Sequence, residues 1–135
     1  MQNFELNSGM LTMAGVFYPT GYLFAMFPSE EDVRRVAKAL PAGTHDGKPT
    51  MALSPSTVLE KLARTVSSSA DIPLPSVGTE ASTIRTYAHL ASQGHHALMV
   101  YAPSADETEQ VMKAVRTAPF ACAVKYRKLV IEEMS

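Results

Sequence analysis

Phe27-Pro28-Ser29-Glu30-Glu31-Asp32-Val33-Arg34-Arg35-Val36-Ala37-Lys38-Ala39-Leu40 returns 75 residues later, without a gap, as Ala102-Pro103-Ser104-Ala105-Asp106-Glu107-Thr108-Glu109-Gln110-Val111-Met112-Lys113-Ala114-Val115. Pro, Ser, Val, Lys and Ala coincide, Glu31 meets Asp106, Asp32 meets Glu107, and Leu40 meets Val115. An apolar run precedes each copy, Tyr22-Leu23-Phe24-Ala25-Met26 in one and Ala97-Leu98-Met99-Val100-Tyr101 in the other. Each copy reads strand, Pro-Ser punctuation, helix.

Ser29 offers an N-cap hydroxyl, and the acids behind it sit where the helix dipole favours negative charge. Val33, Val36, Ala37 and Leu40 keep the spacing of one helical face, and Pro41-Ala42-Gly43 ends it. In the second copy Ser104 and Glu107 form a Ser-x-x-Glu capping signal, and Val111, Met112 and Val115 mark the buried face.

Outward from the repeat, residues 1–13 read as an arm or a short extra strand. A short strand is expected at Val16–Tyr18 and the main one at Tyr22–Phe27, with Pro19-Thr20-Gly21 as a turn between them. Asp46-Gly47-Lys48-Pro49 is turn chemistry ahead of a strand at Thr50–Leu53. Ser54-Pro55 opens a helix carrying Val58, Leu59, Leu62, Ala63 and Val66 on one face. Ser67–Ser76 is a connector, and a helix over Thr79–Ser92 turns Ile84, Tyr87, Ala88 and Ala91 inward before Gly94 stops it. His95–Ala102 is the second main strand, and Phe120–Ile131 closes the chain as one long strand or two.

The order is one α+β domain over 1–135: a first βαβ half (14–53), an inserted helical pair (54–93) and a second βαβ half (94–132). Two related βαβ units resemble the ferredoxin-like superfold. That resemblance implies interleaved halves in one mainly antiparallel sheet, with both crossover helices on one face. It brings no catalytic motif with it. The alternative is a flavodoxin-like parallel α/β sheet, weakened by having only four firm strands and no Gly-rich phosphate loop. The inserted pair either covers the second face of the sheet or leaves it open to a partner.

A net charge of −1 gives no footprint for nucleic acid, and no apolar run is long enough to span a membrane. The N-terminus lacks a signal-peptide pattern, and one cysteine fits a reducing compartment, so a cytoplasmic location is expected.

The residues expected at a binding site are Gly78, Thr79, Arg85, His89, His95 and His96. Gly78-Thr79 enters a helix whose free amides attract anions, although Glu80 opposes one and a plain capped start accounts for the pattern. Arg85 and His89 are four apart on one helix face, and His95 and His96 point to opposite faces of the following strand. One of those two could meet His89, but no metal-ligand spacing supports the pair, so no metal, cofactor or catalytic residue is assigned. Cys122, between apolar neighbours, reads as a buried, unreactive thiol. Lys125-Tyr126-Arg127-Lys128 reads as an edge strand kept soluble by charge.

Three functions fit. The first is a ligand-binding or regulatory module, acting as a homodimer through an open sheet face or the last strand and taking a small anionic ligand. The second is a small enzyme on an anionic substrate near Gly78-Thr79, Arg85 and His95 or His96. The third is a scaffold domain for protein contacts; the Gly78-Thr79-Glu80 and Gly94-His95-His96 neighbourhoods are similar to uncharacterised bacterial stress-type proteins.

Overall fold

The structure, a computed structural model, describes residues 2–6, 8–11, 16–40, 48–64, 78–128 and 130–135. Its elements are β1 (Gln2–Asn3), β2 (Tyr22–Phe27), α1 (Glu30–Ala39), β3 (Met51–Leu53) and α2 (Pro55–Thr57), which continues as a π-helix over Val58–Leu62. There follow α3 (Gly78–Ser92), β4 (His96–Tyr101), α4 (Ala105–Val115), β5 (Cys122–Tyr126) and β6 (Ile131–Glu133). Ser29 and Ser104 cap α1 and α4 alike, each hydroxyl accepting from the amide three residues on and donating to that residue's carboxylate. The expected stop at Pro41-Ala42-Gly43, the turn residues up to Gly47, and the Ser67–Ser76 connector lie outside the described residues.

All the strands join one open sheet in the order β1-β3-β4-β2-β5-β6. Every pairing is antiparallel except β1 with β3. A mainly parallel, flavodoxin-like sheet is therefore excluded. The repeat offset of 75 appears in the register. Phe24 pairs with Met99, its own counterpart, and Tyr22↔Tyr101 maps onto Met26↔Ala97. A pseudo-twofold axis thus runs through the Phe24–Met99 pair. Val124 flanks Phe24 on one side and Met51 flanks Met99 on the other, so the axis also exchanges β5 with β3.

Period-two alternation sends the side chains of β2 and β4 to two separate cores. Leu23, Ala25, Phe27, Leu98 and Val100 pack against Val33 and Val36 of α1 and Val111, Met112 and Val115 of α4. Tyr22, Phe24, Met26, Ala97 and Met99 pack against Val58 and Leu62 of the π-helix and Ala81, Ile84, Tyr87 and Ala91 of α3. The inserted helices therefore cover the face opposite the crossovers, which is why all six residues of β2 are buried. An aromatic cluster fastens them there: Tyr87 stacks on Phe24 at 4.1 Å, and Phe17 meets Phe4, Phe24 and Tyr126 edge-on. Each such contact contributes about 0.5–1.5 kcal/mol beyond its area.

Several expectations are corrected. Among the described residues Val16–Tyr18 forms a single bridge, Leu11 to Phe17, and no strand. The last stretch, expected as one long strand or two, is two, β5 and β6, around a turn closed by Arg127 N–H donating to the Val130 carbonyl. Leu59 is 40% exposed, because the wider π turn sets Val58 and Leu62 on the core side and rotates Leu59 outward. Lys125-Tyr126 is no edge: both residues are fully buried, β6 covers β5, and the outer strand is short and acidic. The sheet face expected to receive a second copy is occupied by α3 and the π-helix.

Candidate functional site

A cavity of about 490 Å³ lies between the N-terminal half of α3 and the β5–β6 hairpin. Its size falls within the range of small-molecule pockets, about 300–1,000 Å³. It exists because α3 packs on Phe24 and Tyr126 through Tyr87 and stops short of closing over the edge formed by β5 and β6.

Tyr87, Cys122, Val124 and Ile131 supply apolar walls, and Ser82, Thr83 and Thr86 bring hydroxyls from successive turns of α3. Glu133 stands across from Val124 in the ladder and brings a carboxylate to the same space. Glu133 has no ion-pair partner among the described residues. The Thr86 hydroxyl donates to the Ser82 carbonyl at 3.2 Å and keeps its capacity to accept. The Tyr87 hydroxyl is committed to the Tyr126 hydroxyl at 2.7 Å, and burial, followed by the Tyr126 hydroxyl beside it, holds its pKa well above the ordinary phenol value.

Cys122 is half-buried on the cavity wall rather than enclosed in the core. Burial pushes its thiol up to about 11; the hydrogen bond with the Met26 backbone opposes this, and the Glu133 carboxylate adds to it. At neutral pH it is a neutral, soft wall atom and a poor nucleophile.

The residues expected from sequence are dispersed. Gly78 opens α3, but the side chains of Thr79 and Glu80 lie outside the described residues. Arg85 and His89 are exposed on α3, and the Gln93 amide donates to the His89 ring. The His95 ring N–H donates from Nδ1 to the Leu90 carbonyl at 3.1 Å, which fixes its tautomer in the turn after α3. His96 starts β4, half-buried. Among the described residues no hydrogen bond or ion pair joins Arg85, His89, His95 and His96, none of the four lines the cavity, and no metal-binding cluster occurs.

A second polar feature lies on the crossover face. Lys125, 1% exposed, donates from Nζ to the Ala102 carbonyl at 2.6 Å and to Thr108 Oγ1 at 2.8 Å. Thr108 in turn donates to the Ala102 and Ser104 carbonyls. Desolvation, then Arg127, lowers the Lys125 pKa, against the opposing pull of Glu132 and Glu107. Under the pseudo-twofold axis Lys125 occupies the place of Ala52 and Thr108 that of Val33. The second half thus carries a polar clamp on its β4–α4 turn where the first half is apolar.

No protein family, no curated protein and no solved structure matches this chain. The likeness to stress-type proteins gains no support from these comparisons. Among the described residues no helix is long and apolar enough to cross a membrane.

Proposed function

We propose that this chain is a small ligand-binding module on a ferredoxin-like frame, with its site in the cavity between α3 and the β5–β6 hairpin. The strand order β3-β4-β2-β5, with α1 and α4 on one face, supports that frame. Folds of this kind host many functions, so the functional reading rests on the site alone. The observation that carries it is an apolar cavity of about 490 Å³ bordered by hydroxyls and a carboxylate with no ion-pair partner among the described residues.

Binding is favoured over catalysis. The one thiol in the cavity is held protonated, the buried phenol is committed to its neighbour, and the described histidines, His89, His95 and His96, stand elsewhere. The test is a fragment screen read by amide NMR on the wild-type protein and on Thr86→Trp. Thr86 is exposed on α3, so a large side chain there fills the cavity without entering the core. Ligands that shift the Thr83, Thr86, Cys122 and Glu133 amides in the wild type and lose binding in Thr86→Trp support the reading. A screen whose ligands all bind elsewhere, or that Thr86→Trp leaves unaffected, contradicts it.

A further inference from the structure

The charges around the cavity narrow what it takes. Glu133 is the one ionised side chain among the lining residues, and it has no ion-pair partner among the described residues. Arg116, which is not itself on the lining, reaches the carbonyl of the lining residue Ser135. That guanidinium also donates to Glu109 at 3.0 Å, and so is already neutralised. On the hairpin, Arg127 and Glu132 are paired with each other at 2.8 Å, Lys125 donates to Ala102 and Thr108 on the opposite face, and Lys128 in the turn does not line the cavity. The positive end of the α3 dipole acts in the opposite sense, but it amounts to about half a charge and fades within the first turn. Ser82, Thr83 and Thr86 lie beyond that turn, whereas Glu133 brings a whole charge to the cavity itself.

Resting on the reading of the cavity as a small-molecule site, we propose that its ligand is an apolar molecule bearing a protonated amine. The ammonium sits at Glu133, and the hydrocarbon body lies along Tyr87, Val124 and Ile131. This replaces the anionic ligand expected from the start of α3. An anion at this place would meet the Glu133 carboxylate and, among the described residues, no cation on the lining.

The test titrates the whole chain at neutral pH with phenethylamine, 2-phenylethanol and 3-phenylpropionate, which share an arylalkyl body and differ at the polar end. Amide NMR locates each ligand and gives its Kd. The amine is expected to bind about three- to tenfold more tightly than the carboxylate, the scale of a partly screened ion pair. Glu133→Gln is expected to erase that preference and leave 2-phenylethanol unchanged, while Glu132→Gln preserves it. Equal or tighter binding of the carboxylate in the cavity overturns the proposal, as does a preference that survives Glu133→Gln; in both cases the cavity stands as a binding site. Failure of all three compounds to shift the cavity amides overturns the cavity reading and this inference together.

Discussion

Gly21→Ala is the substitution on which the geometry of the sheet makes its sharpest demand. Gly21 has φ +87°, its amide donates to the Tyr126 carbonyl, and its carbonyl accepts from the Ala102 amide, so it joins β2 to both neighbours at once. A Cβ there would stand 2.6 Å from Tyr101 Cε1. The left-handed backbone costs an alanine about 1–2 kcal/mol. Pushing the Tyr101 ring off Tyr22 adds about 1–3 kcal/mol of overpacking. The stiffer unfolded chain returns about 0.4–1 kcal/mol. The expected loss is about 2–4 kcal/mol, or about 7–14 °C in Tm at the usual unfolding entropy per residue. Gly94 is the control: it has φ +91° and nothing within 4 Å of an added Cβ, so Gly94→Ala carries only the backbone part, about 1 kcal/mol or less. Urea and thermal melts of both variants, and of Gly21→Ala in a Tyr101→Ala background, separate the two contributions. If Gly21→Ala costs no more than Gly94→Ala, or if removing the Tyr101 ring gives no relief, the close approach of β2's first turn to Tyr101 is wrong.

Other outcomes follow from single side chains. With its thiol near 11, Cys122 is expected to react with iodoacetamide at pH 8 about two-hundredfold more slowly than a free cysteine, and faster in Glu133→Gln; a free-cysteine rate contradicts the burial described. Because folding lowers the Lys125 pKa, the unfolded chain binds its proton more tightly. Native stability relative to Lys125→Met should therefore rise with pH over the span below the ordinary lysine value of about 10.4, as urea melts would show. A falling difference would reverse the assignment. Tyr87→Phe keeps the stack on Phe24 and removes the 2.7 Å hydroxyl contact with Tyr126. Denaturant melts should place its cost at about 1–2 kcal/mol, and a neutral change would mean the two hydroxyls are not bonded.

The repeat was enough to read the frame. Tyr22–Phe27 is a strand over the residues expected, and Glu30–Ala39 and Ala105–Val115 are helices behind serine caps. Local chemistry determines these elements: hydroxyl caps, first-turn acids and apolar spacing act within a few residues. The burial of Lys125 was hidden for the opposite reason. Its partners, Ala102 and Thr108, are 23 and 17 residues away, and a lysine between a valine and a tyrosine looks like a solvated edge until β6 is placed outside it. The cavity was equally hidden, since Ser82, Thr86, Cys122 and Glu133 share no spacing in the chain. They meet because the inserted helices take the second face of the sheet, a choice that amphipathic patterns leave open.

The most direct measurement is a crystal structure of the protein soaked with phenethylamine. The account predicts the aryl ring between Thr86 of α3 and Val124 of β5, with the nitrogen within hydrogen-bond reach of the Glu133 carboxylate. Density for the amine only on other surfaces, with the cavity left unfilled, would contradict it.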